Sequence, residues 1–132
     1  MQETTEYVRF RSVYPGAKGY KVGVFGLVNV LGRHGMLTPD EERFRRESNG
    51  WYDAAYPSPT SHYQEHPDAV AWFKDTATEL LERIPGYLAI LDAHRIAWEQ
   101  ARTSAPGLIV YEDACQVLAI SESSAPAARN RP

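Results

Sequence analysis

The sequence predicts an α+β fold: a mainly antiparallel sheet of about four strands with helices packed on one face, in the order β-α-α-α-(α)-β-β-β. Three observations carry this expectation. Residues 7–14 alternate apolar and polar side chains, the period of a half-buried strand. From Val24 to His94 apolar residues recur at spacings of three and four, the period of a helix facing a core. From Ile96 to Ile120 the chain returns to short β-rich runs separated by turn residues.

In the first strand Val8 and Phe10 share one face, and Arg9 and Arg11 share the other; Pro15-Gly16 ends it. Val24, Leu27, Val28 and Leu31 form the stripe of a first helix, and Gly32 or Gly35 can supply its left-handed C-terminal position. Thr38-Pro39-Asp40-Glu41 opens a second helix. Thr38 and Glu41 can cap each other's amides, Pro39 suits the first helical position, and Asp40, Glu41 and Glu42 complement the helix dipole. Its stripe runs through Phe44, Ser48, Trp51, Tyr52 and Ala55 to Tyr56. Residues 57–66 hold two prolines and no periodicity, so they read as a loop.

Pro67-Asp68 then starts an expected third helix, with Val70, Phe73, Ala77, Leu80, Leu81 and Ile84 facing the core. Pro85-Gly86 interrupts that pattern. Leu88 and Leu91 extend it, either as a bent continuation to about His94 or as a fourth short helix. Strands are expected at 96–103, 108–111 and 116–120, the last two joined by a hairpin through Glu112-Asp113-Ala114-Cys115.

Composition bounds the function. The 132 residues, 43% apolar and 23% charged, suit one globular domain over 1–120, followed by a disordered polar tail over 121–132 that is too poor in large apolar groups to order itself. No apolar run reaches the ~18 residues of a membrane span. A single cysteine forms no internal disulfide and fits a reducing compartment. The acidic, polar start offers no secretory signal, so a cytoplasmic location is expected. The net charge of -3 argues against a general nucleic-acid coat. It is unevenly spread: residues 1–46 hold eight Lys/Arg against five Asp/Glu, and residues 47–113 hold four against eleven.

Several residues are candidates for chemistry. His62 and His66 are four apart, but Glu65 stands at the wrong position for a His-Glu-x-x-His zinc helix, and Pro67 turns His66 away from helical angles. No metal site and no cofactor is therefore expected. Gly32-Arg33-His34-Gly35 has the form of a backbone-clamping Gly-x-x-Gly loop, and equally that of a helix end. Cys115 lacks a neighbouring base in the sequence. Glu112 and Asp113 suit acid–base work or an ordinary turn. Arg9 and Arg11 can bind an anionic group or keep a sheet face soluble. Aromatic residues are dense between Trp51 and Tyr111. Tyr52, Tyr56, Tyr63 and Trp72 surround the proline loop and make the first place to look for a binding surface. P-loop, dinucleotide, nucleophile-elbow and Cys-x-x-Cys motifs are absent from the sequence.

Asn49-Gly50-Trp51-Tyr52, Ala71-Trp72-Phe73-Lys74 and Pro106-Gly107 through Tyr111-Glu112-Asp113 to Gln116-Val117 resemble small bacterial cytosolic proteins with no assigned activity. The resemblance implies a bacterial, cytosolic, single-domain protein and carries over no activity.

The leading expectation is a non-catalytic binding module that uses the aromatic surface near residues 52–72 for a protein partner or for homo-oligomerisation. The alternative is a small enzyme with a pocket between helices and sheet, drawing its acid–base groups from His62, His66, Glu112 and Asp113. A third reading, nucleic-acid binding, requires Arg9, Arg11, Arg33, Arg43, Arg45 and Arg46 to share one face.

Overall fold

The computed structural model describes residues 6–16, 21–55 and 65–120. Among them the chain forms six strands and three helices: β1 (Tyr7–Pro15), β2 (Lys21–Gly23), α1 (Val24–Arg33), α2 (Pro39–Ala55), β3 (Val70–Lys74), α3 (Ile84–Ala93), β4 (Trp98–Thr103), β5 (Leu108–Glu112) and β6 (Gln116–Ile120). A single helical turn lies at Thr78–Leu81. The sheet order is β2-β1-β3-β6-β5, and β4 also pairs with β1. The β1–β2, β1–β3, β3–β6 and β5–β6 pairs are antiparallel, so the α+β class holds. The tail beyond 121 and most of the proline loop, with Tyr56, His62 and Tyr63, lie outside the described residues.

These residues divide into two compact units. A sheet unit contains 6–9, 65–78 and 102–120; a helical unit contains 10–16, 21–55 and 79–101.

In the helical unit, Val24, Val28 and Leu31 of α1 pack against Tyr87, Ile90 and Leu91 of α3. Phe10, Phe44, Tyr52 and Trp98 close around them. The expected α1 stripe is thus the core stripe. Gly32 and Gly35 both serve the end of α1. Gly35 takes φ +66, the Met36 amide donates to the Leu31 carbonyl (3.0 Å) and the Gly35 amide to the Gly32 carbonyl (3.1 Å), which closes the helix in a Schellman motif. At Gly32 a side chain would meet Arg45 Nε at 2.7 Å, so glycine there leaves room for the Arg45 side chain of α2. The capping box forms as the sequence predicts: the Thr38 amide donates to Glu41 Oε1 (2.9 Å) and the Glu41 amide to Thr38 Oγ1 (3.1 Å).

In the sheet unit β3 lies between β1 and β6, with Val8 opposite Phe73 and Trp72 opposite Val117. Val117, Leu118 and Ala119 are consecutive and each is at most 1% exposed, so both faces of β6 are covered.

Two expectations are corrected. The third helix from Pro67 to Ile84 does not form; residues 70–74 are strand β3 and helix returns only at 78–81. A short apolar run such as Val70-Ala71-Trp72-Phe73 has no period of its own, and pairing with strands on both sides decides its state. The sheet also has six strands rather than about four, because β2 and β3 join it. Pro85 does not kink a long helix. It sits in the first turn of α3, where its missing amide leaves no hydrogen bond unmade.

Candidate interaction surface

β5 is an end strand of the sheet order, and among the described residues no strand pairs with its outer side. Its sequence is Leu-Ile-Val-Tyr-Glu. Gly107, at φ +117, turns the chain into it from Pro106. Inward, β5 pairs with β6 through Leu108↔Ile120, Ile109↔Ala119, Tyr111↔Leu118 and Glu112↔Val117. Val110 is the extra residue of a bulge in that ladder.

The edge is apolar. Leu108 is 63% exposed and Ile109 37%. Neighbouring strand residues point to opposite faces, so these two present hydrocarbon on both sides of the strand. Edge strands are commonly protected by Lys, Pro, inward charges, short length or a bulge. Residues 108–111 contain no Lys, Pro or charge, and the bulge at Val110 is the one such device within them. The first charge is Glu112, whose carboxylate meets Lys74 Nζ at 2.6 Å.

The β5–β6 turn is held by Asp113. Its Oδ1 accepts the Cys115 and Gln116 amides (2.8 and 2.9 Å), and its Oδ2 accepts the Tyr111 hydroxyl (2.9 Å). Burial pushes the Asp113 carboxyl up, but these donors together outweigh it and hold the group below its ordinary range. The same contact raises the Tyr111 phenol. Asp113 is therefore a turn residue, as one of its two sequence readings has it, and Cys115 belongs to the same turn.

The aromatic residues expected to form a surface are placed differently. Trp72 is 8% exposed within β3, not on an outer helix face, and its indole N–H has no acceptor among the described residues. Tyr52 is half-buried: its ring meets Phe25 edge-on at 5.0 Å and its hydroxyl donates to the Leu80 carbonyl. Trp51 carries the Arg83 guanidinium 4.0 Å from its ring centre.

His66 is half-buried and accepts the Ala69 amide through its carbonyl (2.9 Å). Glu112 faces Lys74 and Asp113 faces the turn amides, so the two acid candidates are each engaged in structure. Among the described residues no group of three or more His, Cys, Asp or Glu stands close enough to hold a metal ion. No described helix is long and apolar enough to cross a membrane.

Five of the six arginines are engaged as well. Arg9 Nη1 donates to the Ala71 carbonyl (2.9 Å) in the sheet unit. Arg11 shares Glu99 with Lys21 in the helical unit (2.8 and 2.9 Å). On α2, Arg43 meets Asp40, while Arg45 and Arg46 both meet Glu42. Arg45 foremost, with Arg46, holds the Glu42 carboxyl down at about 2. These pairs neutralise much of the basic first third of the chain.

Leu108 and Ile109 were not among the expected site residues. Their run reads equally as a buried strand, and only the sheet order shows it at an edge. Fold and edge together define an α+β protein whose sheet ends, among the described residues, on an apolar strand. No family model, curated protein or solved structure matches the chain.

Proposed function

We propose that this chain is a non-catalytic interaction module of the bacterial cytosol, and that it binds a protein partner by accepting a strand along β5. The observation that carries this reading is the apolar edge strand, with Leu108 and Ile109 exposed on adjacent positions. Main-chain amides and carbonyls of an edge strand supply affinity to an extended segment, and alternate side chains supply selectivity. The location within the chain differs from the residues 52–72 suggested by aromatic density, because Tyr52 and Trp72 are committed to packing.

A photo-crosslinking residue at position 108 of the full chain, expressed in a bacterial cytosol, tests the reading. A crosslinked species that disappears with Ile109→Lys is the expected result. No crosslinked species at position 108, with the chain folded and abundant, overturns it.

A further inference from the structure

α1 and α3 end in the same way. The Met36 amide donates to the Leu31 carbonyl at 3.0 Å, and the Ile96 amide to the Leu91 carbonyl at 2.9 Å. The residue before each donor is left-handed, Gly35 at φ +66 and Arg95 at φ +59, and a histidine precedes it. The two ends also lie together within the helical unit. Gly32 and Asn29 of α1 lie against Arg45, and His94 meets Glu41, so both helices finish beside the first turns of α2. We propose that this shared end docks an acidic segment of a protein partner, with its carboxylates on Arg33 and Arg95 and an apolar residue on Met36. Docking here does not depend on the β5 edge.

Charge complementarity selects the occupant. Every carboxylate at this end already has a donor: Asp40 has Arg43, Glu41 has His94, Glu42 has Arg45 and Arg46, and Asp92 has the Trp98 indole. Arg33 and Arg95 are exposed, and among the described residues neither side chain makes a hydrogen bond or ion pair. Each is a forked donor that matches a carboxylate. Met36 is 57% exposed, whereas its counterpart Ile96 packs against the helical core. A methionine adapts to varied apolar contacts. Because Asp40, Glu41 and Glu42 stand beside them, the two cations suit a few spaced carboxylates and not a continuous run of phosphates.

Arg95 supports the assignment separately. The helix dipole favours a cation at either C-terminus, which accounts for the charge but not for arginine at a left-handed position. Glycine fills that position after α1 without strain. Arginine fills it after α3 with strain, and no contact of its side chain within the described residues offsets the cost. Its guanidinium is presented outward, to a group from another molecule.

Fluorescence anisotropy tests the proposal, with the full chain titrated into a labelled peptide of Glu-Asp-Leu repeats, and into Gln-Asn-Leu repeats and single-stranded DNA beside it. The acidic peptide should bind more tightly than either, and less tightly as salt rises. Arg33→Gln and Arg95→Gly should each weaken it by about threefold, and together by about tenfold. Met36→Gln should weaken it as well. Arg95→Gly should lose binding while raising the denaturation midpoint, an opposite movement that a purely structural role for Arg95 does not give. Arg102→Gln, the same loss of charge in the sheet unit, should leave binding unchanged. No binding of the acidic peptide overturns the proposal. So does binding that the double arginine variant or Met36→Gln leaves intact, equal binding of the uncharged peptide, or tighter binding of the DNA.

Discussion

His94 Nε2 lies 2.9 Å from Glu41 Oε1, the same oxygen that accepts the Thr38 amide at the start of α2. One carboxylate therefore caps α2 and ties it to the end of α3. Glu41 and His94 are only 17% and 19% exposed at their side chains, so the contact is poorly screened.

The His94 contact first, then the Thr38 amide, holds the Glu41 carboxyl below its ordinary value of 4.5. A depressed carboxyl contributes stability that is present above its unfolded pKa and is lost as pH falls through the folded one. Thermal stability should therefore fall as pH drops below about 4.5, and Glu42, held at about 2 by Arg45 and Arg46, should extend the loss toward that value. Glu41→Ala should destabilise by about 1–2 kcal/mol at neutral pH through loss of the cap. Glu41→Gln keeps a capping amide and should cost less, while flattening the acid limb. Melting curves of the three proteins from pH 7 to pH 2 check this. An unchanged acid limb in Glu41→Gln would contradict the assignment.

Arg95 has φ +59, the left-handed position that ends α3, with the Ile96 amide donating to the Leu91 carbonyl at 2.9 Å. An L-side chain there is strained, and glycine is not. Arg95→Gly should stabilise the protein by about 1 kcal/mol, read as a raised denaturation midpoint. Arg95→Val should do the reverse.

Two glycines should respond to alanine in opposite directions. A Cβ on Gly86 runs into the Phe44 ring, which packs edge-on against Tyr87 with ring centres 5.1 Å apart. Gly86→Ala should cost about 1–3 kcal/mol through overpacking. Gly50 lies exposed within α2, with nothing within 4 Å of such a Cβ. Gly50→Ala should stabilise by about 0.5–1 kcal/mol through helix propensity. Denaturant unfolding of both variants separates the two cases.

Local chemistry was the legible part of this chain. Thr38 and Glu41 cap one another as their spacing demands, Gly35 closes α1, and the 108–112 and 116–120 runs pair through an Asp113 turn. What failed was decided at long range. Val70 to Lys74 became a strand because β1 and β6 flank it, and neither neighbour is near in sequence. β2 is three residues beside a glycine and has too short a pattern to read. The aromatic residues were visible as a cluster in sequence, but composition does not tell a core ring from a surface ring. Tyr52 and Trp72 proved to be packed, while Leu108 and Ile109, with Tyr14, Val30 and Met36, are exposed.

Amide hydrogen exchange along β5 tests the central claim most directly. An open edge leaves its outward amides to exchange with water, and a paired edge protects them. The outward β5 amides of the purified full chain should exchange fast while those of β6 stay protected. Slow exchange of the outward β5 amides in the purified chain, at the rate of the β6 amides, would contradict an edge free to accept a strand.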